Sequence, residues 1–132
     1  MARVYFASAR THHAGDALHR TIPKLFKKIC NIDKSEKVAI KLHMGELGNT
    51  NYIRPVFIRK IVDMVKKEGG IPFITDTTAL YGGERGNAMD YLRTAAINGF
   101  SIASMNVPVI IADGLLGFDG RKVEVNGNEI EI

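Results

Sequence analysis

Tryptophan is absent from this 132-residue chain, and cysteine occurs once, at Cys30. A single thiol excludes an intrachain disulfide, and it cannot alone hold zinc or an iron–sulfur cluster. No apolar run approaches the roughly 20 residues that span a bilayer. The opening MARVYFASARTHHAGD also lacks the apolar core of a secretory signal. These absences point to a protein of the cytoplasm with no membrane anchor. Cys30 lies beside Ile29 and Ile32 at the end of a predicted helix, which favours a buried structural thiol over a reactive one.

What is present fits one domain. An apolar fraction of 45% and a charged fraction of 24% are ordinary for a globular protein. A chain of this length buries roughly two thirds of the surface its unfolded form exposes, enough for a single core. The net charge of +4 hides an asymmetry: residues 1–67 carry fourteen Lys or Arg against five acids, and residues 68–132 carry four against nine. The basic residues, such as Lys27-Lys28 and Lys66-Lys67, fall on the outer faces of predicted helices and do not interleave with aromatics. That pattern is a solvated helix face and argues against nucleic acid as a partner. The charge split could instead steer two copies of the chain together as a homo-oligomer.

Along the chain, strands and helices alternate. Val4 to Ala7 is a short strand candidate. From Ala17 to Ile29, Leu18, Ile22, Leu25 and Ile29 form one apolar helical stripe, with Pro23 as a kink or as the start of the regular part. Val38, Ile40, Leu42 and Met44 recur every second residue, which is strand periodicity. Pro55 suits a first helical turn, and Phe57, Ile58, Ile61, Val62 and Val65 form the stripe that Gly69-Gly70 ends. Ile71 to Thr75 reads as a further apolar strand. A third helix is expected from Asn87 to Asn98, with Met89, Leu92 and Ala96 facing in, and Val107 to Ala112 as the fourth strand. Together these predict an α/β fold: an open, mostly parallel sheet of about four strands with helices on its faces. Lys122–Val125 and Asn128–Ile132, joined by Asn126-Gly127, predict a β-hairpin after it.

Ligands of open α/β sheets bind beyond the carboxyl ends of the strands. Three loops reach that end, in KLHMGELGNTNYIR, TDTTALYGGERGN and ADGLLGFDG, and there the glycines and polar residues concentrate. In the first, Lys41, His43, Glu46, Asn49, Asn51 and Arg54 stand close together, and Arg54 could grip a phosphate or carboxylate through paired hydrogen bonds. Asn49 and Asn51 could equally serve only the backbone of a turn. In the second, Thr77 and Thr78 could bond an oxyanion, Gly82-Gly83 would let Tyr81 and Arg85 fold back over it, and Asn87 could cap the third helix. Lys41, Asp76 and Tyr81 are the candidates for chemistry. Glu46, Asn49, Arg54, Thr77, Thr78, Arg85 and Asn87 are the candidates for holding a small anionic ligand or cofactor. His43 with Glu46 invites a metal, but two residues are too few to assign one. No spacing matches a Walker loop or a dinucleotide fingerprint, so no cofactor is named.

These residues also carry a resemblance. VAIKLHMGELGNTNYIRP, then GGIPFITDTTALYGGERGNAMDYLRTAAINGF, then IIADGLLG resembles the N-terminal part of the uncharacterised family known as domain of unknown function 362. The resemblance covers roughly residues 36–118 and implies an association with iron–sulfur proteins, because longer members carry a second half and many carry two cysteine clusters. This chain has neither feature, so residues 1–132 read as a single α/β domain that forms the N-terminal part of such an architecture or works with an iron–sulfur partner. Two functions follow. One is an anionic-ligand or metal-binding domain of an enzyme, redox-linked through a partner; the other is a non-catalytic assembly module whose site is completed by another chain.

Overall fold

In the computed structural model, which describes residues 3–131, the central strand is β2 (Ile71–Asp76). Parallel to it on either side lie β1 (Lys37–Lys41) and β3 (Val109–Ile111). Registration opposes Lys41 to Thr75 and Asp76 to Ile111. The carboxyl ends of the three strands therefore meet at one edge, and the loops that follow them share it.

Helix α2 (Pro55–Lys67) connects β1 to β2. Pro55 occupies its first turn, where no backbone donor is needed, and Arg54 before it is extended. Its apolar face buries Ile58, Val62, Met64 and Val65. Gly69 ends it in the left-handed conformation at φ 96°, and the Gly70 amide bonds back to the Val65 carbonyl at 3.0 Å. Helix α3 (Ala88–Ile97) and the short α4 (Ile102–Met105) connect β2 to β3. Asn87 caps α3 by accepting from the Asp90 amide at 3.0 Å. Helix α1 (Leu18–Ile29) precedes the sheet, runs through Pro23 and packs on α2 with Phe26 buried.

Ile40, Ile74, Val109 and Ile111 join Val62, Tyr91, Ala95, Phe100 and Met105 in the main core, and Val38 joins Phe26, Met64 and Val65 in a second. These strand residues all point to one face, so the core helices cover that face. The opposite face leaves Ala39, Ile71 and Ile110 exposed, an unusual state for a parallel sheet. The hairpin of β4 (Lys122–Val125) and β5 (Asn128–Glu131) forms its own two-stranded sheet. No helix among the described residues is long and apolar enough to cross a membrane.

Several sequence expectations are corrected. The α/β fold, its parallel sheet and the separate hairpin are as expected, but the sheet has three strands where about four were expected: Val4 to Ala7 is irregular, with Val4 and Phe6 exposed, and no strand among the described residues pairs with it. On α3 the inward face is Ala88, Tyr91, Thr94 and Ala95, whereas Met89 is 70% exposed and Leu92 and Ala96 are also exposed. Ile29 and Cys30 are exposed too, since α1 meets the body through Phe26, and the thiol is therefore not a core group.

Candidate functional site

Lys41 and Asp76 end adjacent strands, and their side chains meet there, with Lys41 Nζ 3.0 Å from Asp76 Oδ1. The pair is lopsided: the lysine side chain is 69% exposed and the aspartate 6%. Asp76 Oδ2 accepts from the Tyr91 hydroxyl, and the Arg85 guanidinium lies 3.6 Å from the same oxygen. Burial pushes the Asp76 carboxyl up, but hydrogen bonds from Tyr91, Lys41 and the Thr77 amide outweigh it and hold the group below its ordinary value. Asp76 is thus a buried carboxylate kept charged by its donors.

Tyr91 extends this centre inward. Its fully buried hydroxyl donates to Asp76 and accepts from the Met44 amide at 3.2 Å and from Arg85 at 3.2 Å. Burial, and then the bond to Asp76, raise its phenol above the usual range, so it serves as a neutral donor. Arg85, itself buried, spans two layers of the network. Its Nε donates to Glu46 Oε1 at 2.7 Å, and its other nitrogens reach Tyr91 and the Tyr81 hydroxyl. Burial works against the guanidinium, yet its bonds to Tyr91 and Tyr81 and the charge of Glu46 hold it more firmly protonated.

Glu46 belongs to the loop after β1, and Tyr81 and Arg85 to the loop after β2. Tyr81 donates to Glu46 Oε1 at 2.6 Å, and His43 Nε2 stands 3.6 Å from the same oxygen. The Tyr81 bond is the foremost cause of the lowered Glu46 carboxyl, and Arg85 and His43 add to it against a smaller effect of burial. Asn98, at the end of α3, donates to the carbonyls of Met44 at 3.0 Å and Glu46 at 3.4 Å. Gly45 lets this loop pass beneath Tyr52 and Asn98: its φ is 87°, and a Cβ there would stand 2.6 Å from Asn98 Nδ2.

The structure therefore brings Lys41, Glu46, Asp76, Tyr81 and Arg85 into one connected network. Thr78 is drawn instead to the loop after β3, where its amide and hydroxyl donate to Asp113 at 2.9 and 2.5 Å. Thr77 is exposed and gives its amide to Asp76. Asn49 accepts from the Asn51 amide at 2.8 Å, a turn within its own loop. Asn87 caps its helix. Arg54 is exposed over a shallow depression with Thr50, Tyr52 and Val56 and has no side-chain hydrogen bond among the described residues. Sequence reasoning missed Tyr91 and Asn98. The spacing of Tyr91 from Ala88 and Ala95 signals an inward position, but the apolar Met89 and Leu92 compete with it for the same helix.

Among the described residues, no group of three or more His, Cys, Asp or Glu is arranged to hold a metal ion. An iron–sulfur cluster requires several thiolates, and Cys30 alone does not fit one. What the site offers is a charge-balanced network, two cations on two carboxylates, and of these four charged side chains only Lys41 is largely open to solvent.

The fold and this edge define an α/β domain with a polar network at the carboxyl ends of a parallel sheet. The chain belongs to the family described as Domain of unknown function (DUF362), whose model matches residues 38–132. The match takes in every residue of the network and the hairpin. No curated protein and no solved structure gives a significant match to the chain.

Proposed function

We propose that the domain binds a small anion, a carboxylate or phosphate, at the carboxyl ends of β1 and β2, and that Lys41 is the cation that grips it. The asymmetry of the Lys41–Asp76 pair supports this reading. The lysine end of the pair is open to water, which can take the place of the contact when Lys41 turns to a ligand. Asp76 stays satisfied meanwhile by Tyr91, Arg85 and the Thr77 amide. Arg54 and Thr77, exposed on the flanking loops, supply further donors. Glu46, Tyr81 and Arg85 clip two loops together, while Asn49, Thr78 and Asn87 shape them. A carboxyl held below its ordinary value is a weak proton acceptor at neutral pH, so Asp76 anchors Lys41 rather than acting as a base.

In this reading, residues 1–132 are one domain of a cytoplasmic enzyme, and any redox group comes from a partner or from a longer architecture. A second reading, an assembly module completed by another chain, draws on a different observation. Leu80, Leu115, Leu116 and Phe118, all in the loops at the strand ends, are exposed, as a rim awaiting cover would be.

Thermal unfolding with added inorganic phosphate tests the first reading. A ligand at ten times its dissociation constant stabilises the folded state by about 1.4 kcal/mol. The expected result is a rise in Tm that Lys41→Ala removes and Lys24→Ala keeps. No rise with phosphate or with a small dicarboxylate, or an equal rise in both variants, refutes it.

A further inference from the structure

We infer that the outer edge of β4 is a self-complementary interface through which two copies of this chain join by antiparallel pairing centred on Val123. The hairpin strands are hydrogen-bonded only to each other. The Asn126–Gly127 loop, with φ of 53° and 79°, closes on the Val125–Asn128 pair. A tight two-residue turn makes that pair a hydrogen-bonded one, and alternation along the ladder then turns the backbone groups of Lys122 and Glu124 outward. They form a free edge.

Charge selects which edge can pair with itself. A second β4 centred on Lys122 opposes lysine to lysine, and one centred on Glu124 opposes glutamate to glutamate. Centring on Val123 places Lys122 opposite Glu124 of the second copy, and the reciprocal pair follows from the two-fold axis. The outward residues of β5 are Glu129 and Glu131, so every self-pairing of that edge opposes two acids. One edge is guarded against its own kind and the other fits it.

The hairpin alone leaves two needs unmet. Glu124 lies directly across from Glu129, a like-charge pair, and Glu129 already holds Lys122 at 2.7 Å. Glu124 has no ion-pair partner among the described residues, and a second copy brings it one. Val125 and Ile130 share the hairpin's apolar side with Val123 and remain about 45% and 43% exposed; the joined hairpins make a four-stranded sheet with one continuous apolar side. Isolated two-stranded hairpins are marginal, and added strands relieve that.

Disulfide trapping in a Cys30→Ser background tests the interface. Directly opposed residues of a non-hydrogen-bonded pair have Cα atoms about 4.5 Å apart, within disulfide reach. Val123→Cys is expected to oxidise to a covalent dimer, and Val125→Cys to remain largely monomeric. Glu124→Lys, which opposes lysine to lysine, should abolish trapping of Val123→Cys. Circular dichroism of each variant checks that it is folded. A folded Val123→Cys protein that stays monomeric, equal trapping at both positions, or trapping indifferent to Glu124→Lys overturns the inference. Ligand binding at Lys41 is unaffected by either outcome.

Discussion

Replacing Tyr91 by phenylalanine removes one oxygen and keeps the ring that fills the core. That oxygen donates to Asp76 and accepts from the Met44 amide and from Arg85, all in a buried setting. A hydrogen bond to a charged group contributes about 1.5–3 kcal/mol, and a buried donor left unpaired costs about 1–3 kcal/mol. Partial rescue of Asp76 by Lys41 and the Thr77 amide places the net loss near 2–4 kcal/mol at neutral pH, a fall in Tm on the order of 10 °C. The loss should depend on pH. Asp76 is depressed in the folded state, so its stabilisation is present above the unfolded value near 4 and fades as pH falls through the lower folded value. Without the Tyr91 hydroxyl the carboxyl titrates higher, and the gap between wild type and Tyr91→Phe narrows in acid. Urea unfolding at pH 7 and at about pH 2.5, below the unfolded value, reads both effects. A midpoint unchanged at pH 7, or a loss equal at the two pH values, refutes the account of Tyr91 as the donor that keeps Asp76 charged.

Gly45→Ala should destabilise by about 1–3 kcal/mol, because the residue holds a positive φ and its Cβ would meet Asn98 and Tyr52; chemical unfolding measures it. Arg85→Lys keeps the charge but cannot span Glu46, Tyr81 and Tyr91 with one nitrogen. It should lose about 1–3 kcal/mol and, in limited proteolysis, expose the 79–86 loop to faster cleavage than in wild type.

Strands whose apolar residues alternate over a covered face were legible in the sequence, as were helices with clear punctuation. Val38 and Ile40 alternate because one side of β1 meets the helices, and Pro55 with Gly69-Gly70 bounds α2 through backbone constraints that hold in any context. The misses arise where burial is decided by distant chain. Val4 to Ala7 has strand composition, but a strand exists only where a neighbour supplies hydrogen bonds. Met89 is more apolar than Tyr91, yet Tyr91 turns inward because its hydroxyl finds Asp76 and Met44. The gathering of polar residues at the strand ends was visible as a list, and Lys41, Glu46, Asp76, Tyr81 and Arg85 do meet. Which of them are consumed by one another was not visible, since that depends on loop paths set by Gly45 and Asn98. Asn49 serves its own turn and Asn87 caps α3, both of them roles that the sequence had offered.

Native mass spectrometry of the protein purified without chelator, with elemental analysis of the same sample, tests the anion site most directly. The account predicts a single small-anion adduct per chain after exposure to phosphate, lost in Lys41→Ala and kept in Lys24→Ala. A bare polypeptide mass under those conditions, or an adduct indifferent to Lys41, would contradict it.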